Sequence, residues 1–331
     1  MPEPSPIRYP GTVPVAAATC DHRTVQRTPE YDAFGPWTYR VRTPEEMPRL
    51  YREHGIELEA ARLVLKVPRA IDRRDANPEM HLYDHLVVAG KEILTVLSRK
   101  GDTYQTVQLP YRQIAAIEHS VSMLDGRLVI HDVDGLQRGG VAVRLRYSAV
   151  SRGVMAELLE IIRTEALAAR DPAERPGRVP LPSSRMADLD DVDSGLVTAQ
   201  MEIAEHRPGL VLLGAHPRVV VPRRGGVLRH WLDRHRPVTL HAALVCADAG
   251  TLEFVHRREW FTSHPRPAWS IAHTVLMTAA VTAVGSHEHP KYVGAYRVQV
   301  ASGRSLVDLA CPDGAESLAA IAGALAGVRA I

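Results

Sequence analysis

The sequence predicts an α+β, mainly β protein built from two copies of one small antiparallel β-domain, each ending in an amphipathic helix. Three observations lead there. Apolar and polar residues alternate with a period of two through residues 82–147 and again through 240–311. Each stretch is followed by a segment with helical spacing: Val154, Met155, Leu158, Ile161 and Ile162 in the first, Leu318, Ile321 and Leu325 in the second. The two stretches also align with each other, and the offset changes only where loops are expected.

Taken in order, residues 1–42 are rich in Pro, Thr and Arg and lack periodicity. They predict an extended tail, docking through Phe34, Trp37 and Tyr39. Thr43-Pro44-Glu45-Glu46 has the form of a helix start, with a capping hydroxyl, a proline in the first turn and a glutamate able to reach back. A helix to about Glu59 is expected from it. Leu63, Leu65 and Val67 alternate as a short strand that Pro68 ends. Residues 81–88 and Ile93–Ser98 predict two strands around a tight turn at Ala89–Glu92. Tyr104–Leu109, Ile114–Ser120, Arg127–Asp132 and Val141–Tyr147 predict four more, with Gly126 and Asp134-Gly135 as turns. A helix over about Arg152–Ala168 closes this part. Residues 169–193 read as a linker of Pro, Gly, Ser and acidic residues. Ser194 then predicts the cap of a helix to Glu205, followed by the apolar run Leu210–Leu213.

The second copy is legible by residue. Pro68-Arg69 matches Pro217-Arg218 at an offset of 149. Leu82, Leu86 and Val88 match Leu240, Leu244 and Cys246 at 158, as Ile93–Leu97 match Thr251–Val255. Leu109 and Ile114–Ile117 match Leu276 and Val281–Val284 at 167, so the second copy carries nine extra residues between these strands. Leu145 and Tyr147 match Leu309 and Cys311 at 164, and Met155, Leu158 and Ile162 match Leu318, Ile321 and Leu325 at 163. Core register is fixed by burial whereas loop length costs little, so a duplicated domain is expected to drift in this way. The resulting division is a tail (1–42), a first repeat with its preceding helix (43–168), a linker (169–193) and a second repeat with its preceding helix (194–331).

Composition narrows the classes of function. A chain of 331 residues suits two domains. With 5% aromatic residues, Leu, Val, Ile and Ala must fill the cores. The net charge of +2 gives no global case for nucleic acid. Only four of the 40 basic residues are lysine, so an arginine cluster is weak grounds for a site. The three cysteines, Cys20, Cys246 and Cys311, are far apart and form no CxxC, which argues against a disulfide framework or zinc. The N-terminus has no apolar signal core and no apolar run is long enough to span a bilayer, so the cytoplasm is expected, with peripheral membrane attachment as a variant.

A short-stranded meander closed by one amphipathic helix resembles the bacterial pleckstrin-homology-like (PH-like) domain. The residues that carry the resemblance are Leu86–Ser98, Ile114–Ser120, Arg127–Asp132, Val141–Tyr147 and the stripe Val154–Ile162. In the second copy they are Leu244–His256, Val281–Ser286, Tyr296–Ala301, Leu306–Cys311 and Leu318–Leu325. The resemblance implies two bent sheets in a half-open barrel or sandwich, with the helix plugging one mouth. It also implies binding or scaffolding rather than catalysis.

Two segments stand out as candidate sites. His216–Arg236 holds Arg218, Arg223, Arg224, Arg229, Arg234 and Arg236, with Asp233 the only acid and Gly225-Gly226 able to admit an anion close to the backbone. Its counterpart in the first copy has Arg69, Arg73 and Arg74, diluted by Asp72 and Asp75. The insertion at 257–273 interleaves Trp260, Phe261 and Trp269 with Arg257, Arg258 and Arg266, an interface composition. Sixteen histidines invite a metal, but His287-Glu288-His289 and His81/His85 lack a third ligand at a recognisable spacing. GxSxG, SxxK, GxGxxG and GxxxxGK[ST] do not occur. The expectation is a non-catalytic protein without cofactor or metal that binds a protein partner or itself through these two segments. The runner-up is an anionic surface, lipid headgroup or nucleic acid, held by the arginines. The third is an enzyme with dispersed carboxylate and histidine groups.

Overall fold

The alternating stretches form antiparallel sheets, and strand outweighs helix, 43% against 26%. The structure is a computed structural model that describes residues 27–135, 140–171, 189–225, 235–263 and 269–330. A one-turn helix α1 (Pro29–Asp32) leads into β1 (Tyr39–Arg40), β2 (Leu63–Pro68), β3 (Tyr83–Ala89), β4 (Ile93–Lys100) and β5 (Thr103–Pro110), which form one sheet in that order. Next come β6 (Ile114–Ser122), β7 (Asp125–Asp132), β8 (Val141–Ser148) and helix α2 (Arg152–Ala168). The second half runs α3 (Ser194–His206), β9 (Val211–His216), β10 (Val219–Val221), β11 (Val238–Leu240), β12 (Ala243–Asp248), β13 (Thr251–His256), β14 (Phe261–Thr262) and β15 (Ile271–Met277). It closes with β16 (Ala283–Glu288), β17 (Ala295–Ser302), β18 (Ser305–Pro312), α4 (Glu316–Ala324) and β19 (Arg329–Ala330).

Strand order recurs between the halves. β2-β3-β4-β5 is followed by β6-β7-β8 and a helix, as β9-β12-β13-β15 is followed by β16-β17-β18 and a helix. Register recurs too. Leu86 lies between Lys66 and Leu97, and Leu244 between Ala215 and Val255. Leu94 faces Leu109 as Leu252 faces Leu276, and Leu128 faces Leu145 as Val298 faces Leu309. Among the described residues no sheet closes on itself, so there is no closed barrel.

The halves are joined by strand pairing. β6 runs antiparallel to β15, which makes one seven-stranded sheet, β8-β7-β6-β15-β13-β12-β9. Successive side chains on a strand point to opposite faces, so this sheet serves a different core on each side. Ile117 and Val275 join Leu65, Leu94, Ile130 and the α2 residues Met155, Leu158 and Ile162 in one core. Their chain neighbours Ala116 and Leu276 join Phe254, Val298, Leu309 and the α4 residue Ile321 in the other. The outer face of the first sheet is covered by Phe34, Met47 and Tyr51, and that of β9, β12 and β13 by Leu196 of α3.

A buried charge chain reinforces the joint. Glu253 on β13 is fully buried and accepts two bonds from Arg207 (2.5 and 2.7 Å) and one from the Thr251 hydroxyl (2.8 Å), with His273 Nε2 2.7 Å away. On α2, Arg163 is held by Glu160 at 2.5 Å and reaches Asp248 of β12 at 3.4 Å. Burial by itself would raise the Glu253 pKa. The His273 and Arg207 contacts outweigh it and hold the carboxyl well below its usual range.

Three expectations need correction. The helix over 43–59 is three short 3-10 turns, Pro44–Glu46, Arg49–His54 and Leu58–Ala60. Pro48 forces Met47 into extended backbone (ψ 126°), and Gly55 leaves the chain left-handed (φ 70°). Glu46 still reaches back, accepting from the Arg42 amide at 2.7 Å. Phe34 is buried and Tyr39 pairs with Lys66, as docking of the N-terminal segment through them requires, whereas Trp37 is exposed. Ser194 does not cap α3; it is the first helical residue, and its hydroxyl donates to the Asp191 carbonyl at 2.7 Å. Gly126 lies inside β7 rather than at a turn, opposite Tyr147, whose ring occupies the space a Cβ would need. Residues 172–188 of the expected linker lie outside the described residues.

Candidate partner-binding surface

The basic segment and the aromatic insertion meet in one small sheet. Apolar Val219–Val221 pairs with Val238–Leu240, and Leu240 and Thr239 pair with Phe261 and Thr262, giving the order β10-β11-β14. Arg218 and Arg223 flank β10, Arg236 precedes β11 and Trp260 precedes β14. One face is anchored by Val221, Val238 and Leu240 on Ala295 and Ala310. The other end carries an aromatic stack. Phe261 lies 4.5 Å from Tyr292 and 4.7 Å from His289, and His289 lies 4.8 Å from Tyr292 at an interplanar angle of 16°.

Backbone bonds lock the loop after β10 onto the β16–β17 hairpin. The Arg224 amide donates to the Lys291 carbonyl and the Val293 amide to the Pro222 carbonyl, both at 2.8 Å. Arg224 Nε donates to the His289 carbonyl at 3.0 Å and its Nη2 pairs with Glu288. Arg223 donates to the Arg236 carbonyl at 3.0 Å. Partial burial, with Arg297, Lys291 and Arg224 nearby, lowers the His289 pKa. Arg236, Lys291 and His287 are exposed around this group. Val220 is 62% and Trp269 72% exposed, and Val293 is also exposed.

Other arginines of the two segments are turned inward. Asp193, fully buried before α3, accepts from Arg218 Nε (2.8 Å) and Arg257 Nη2 (2.9 Å). These two guanidinium groups depress its pKa despite burial. Arg257 is itself buried and also donates to the Ser270 and Val192 carbonyls. Arg258 crosses to the first half, to Asp125 Oδ2 at 2.6 Å and Ser120 Oγ at 3.0 Å. Arg73 donates to the carbonyls of Tyr31 and Phe34 and sits over the Tyr31 ring, while Arg74 is exposed beside Asp72. Trp260 stacks on His256 at 4.2 Å and packs between two cores. Arg229, Arg234 and Arg266 lie outside the described residues. The structure therefore brings Arg223, Arg224, Arg236 and Phe261 together, leaves Trp269 outward, and gives Arg73, Arg218, Arg257, Arg258 and Trp260 structural partners. His289, Lys291 and Tyr292 were missed, because nothing local marks residues that join a surface through a distant hairpin.

Other groupings are less open. Ser305 Oγ lies 3.2 Å from His131 Nδ1, and His131 Nε2 lies 2.7 Å from Glu118, across the two halves. Ser305 is only 2% exposed, and a Cβ on Gly140 would stand 2.4 Å from its Cα, so the serine has no room for an acyl substrate. A shallow groove of about 550 Å³ between the 3-10 turns and β3–β4 is lined by His54, Ile56, Lys91, Ile93 and Gln108, none of them in β10, β11 or β14. Among the described residues no three His, Cys, Asp or Glu side chains are grouped to hold a metal ion, and no helix is long and apolar enough to cross a membrane. Compared with known proteins, the chain matches no family model and no curated sequence.

Proposed function

We propose that the chain is a non-catalytic scaffold of two PH-like units related by internal duplication, binding a protein partner through the surface of β10, β11 and β14. The recurrence of strand order and hairpin register supports the duplication. Helices α2 and α4, each set into the core of its own half, support the PH-like reading.

The observation that carries the functional reading is the convergence of the two candidate segments in one three-stranded sheet, with Val220 left in solvent on β10; Trp269, later in the aromatic segment, is exposed as well. Exposed large apolar side chains rimmed by polar ones are the usual make-up of a protein interface. An anionic surface is the second reading, carried by Arg223, Arg236 and Lys291. It is weakened because Arg218 is neutralised by Asp193 and Arg224 by Glu288.

The test is affinity capture with the intact chain and with Trp269→Ala and Val220→Asp as baits. A partner retained at about 0.5 M salt, where exposed charges are screened, and lost with either substitution supports the reading. Binding confined to anionic vesicles or oligonucleotides, and abolished at that salt, favours the second.

A further inference from the structure

The joint between the halves is lopsided. β15, the fourth core strand of the second half, pairs with β6, the fifth of the first. The reciprocal pair, β5 with β16, does not form. β5 ends its sheet, and β16 is flanked only by β17 and the two-residue β19. A twofold joint would satisfy both pairs at once. A heterologous joint leaves one strand edge unmet at each end, and the two unmet edges are complementary to each other.

We propose that β5 of one molecule pairs antiparallel with β16 of a second copy, repeating between molecules the joint that β15 and β6 make within one. The proposal rests on the equivalence of the two halves proposed above and takes its register from it. Within the molecule, Ile271 faces Val121, His273 faces His119 and Leu276 faces Ala116. Carried to the equivalent positions, Tyr104 faces Glu288, Thr106 faces Ser286 and Leu109 faces Ala283. No like charges oppose one another in that register.

Neither β5 nor the Ser286–Glu288 end of β16 is paired with a strand on its outer edge. Thr103, Gln105, Thr106 and Gln108 are exposed on β5, as are Ser286, His287 and Glu288 on β16. An edge strand is normally guarded by charge, proline or a bulge. From Thr103 to Leu109, β5 has no charge and no proline, and its pairing with β4 is in continuous register. The guard is on the other edge. β19 runs parallel to β16 and occupies Ala283 and Val284 through Arg329 and Ala330, leaving the Gly285–Glu288 end uncovered. The C-terminal strand thus limits the joint to its outer residues, and removing it exposes the whole edge. Because the contact is heterologous, the products are head-to-tail oligomers, open or ring-closed, rather than a simple twofold dimer.

Sedimentation velocity over a concentration series tests this with four proteins. The intact chain is expected to form concentration-dependent oligomers. A chain ending at Val328, which keeps the Val328 packing, should associate about tenfold more tightly, since two further residue pairs become available. Thr106→Glu with Ser286→Glu in one chain should be monomeric, because every joint then opposes two carboxylates. Thr106→Glu with Ser286→Lys should assemble again. All four residue changes are at exposed positions, and unchanged melting curves establish that the chains fold. A monomer at every concentration in both the intact and shortened chains overturns the proposal, as does association indifferent to the double glutamate. Partner capture by the double-glutamate chain reports separately on the β10–β11–β14 surface, so either proposal fails without the other.

Discussion

Burial holds His119, His216 and His256 neutral, each with its pKa pushed down to about 4. Their ordinary value is near 6.5, so between pH 6.5 and 4 the unfolded chain binds protons that the folded chain refuses. Stability from these groups is complete above pH 6.5 and declines as the pH falls. The decline is at most about 1.4 kcal/mol per pH unit for each group. Glu253 acts in the same direction lower down, because a depressed carboxyl loses its stabilising effect as the pH falls below its unfolded value near 4.5. Calorimetry is therefore expected to give a melting temperature that is flat above pH 7 and falls steadily toward pH 4; a flat profile from pH 8 to 5 contradicts the histidine burial. Arg207→Ala strands the fully buried Glu253 carboxylate and should cost about 3–5 kcal/mol in denaturant unfolding. A loss below about 1 kcal/mol, the size expected of an exposed pair, would mean that the pair is wet. These roles were not legible from the sequence. Arg218 and Arg257 stand 25 and 64 residues from the aspartate that holds them, and an arginine-rich run looks the same whether its charges are free or spoken for.

Strands and closing helices could be read in advance because their periods are local: Leu94 and Val96, and Leu128 and Ile130, alternate into one core, and Leu158 and Ile162 repeat at helical spacing. The 3-10 turns before β2 were misread because Thr43–Glu46 has a good helix start but Pro48 stops it within a turn. β10, β11 and β14 are two or three residues long, too short to show a period, and only their pairing makes them a sheet. Gly126 gives this scale its own prediction. Its absent Cβ would stand 2.3–2.6 Å from the Tyr147 ring, which is also within hydrogen-bond distance of His119. Gly126→Val should destabilise by about 1–3 kcal/mol through overpacking, and pairing it with Tyr147→Ala should recover part of that loss. Strictly additive losses would show that the ring does not need the glycine.

At the scale of the molecule, the joint between halves is a pairing of strands about 150 residues apart in the chain, and no local pattern announces it. The two similar alternating stretches were visible, whereas the sharing of one sheet by two cores was not. Ala116 and Ile117, adjacent in the chain, belong to different cores, and so do Val275 and Leu276. Separating the halves would therefore strip one face from each core as well as break a ladder. Amide hydrogen exchange along β6 and β15 measures this directly. One body predicts that their amides exchange as slowly as those of β12 and β13, in a single cooperative opening. Fast exchange confined to β6 and β15, while the remaining strands stay protected, would mean that the halves are separate domains touching at an edge.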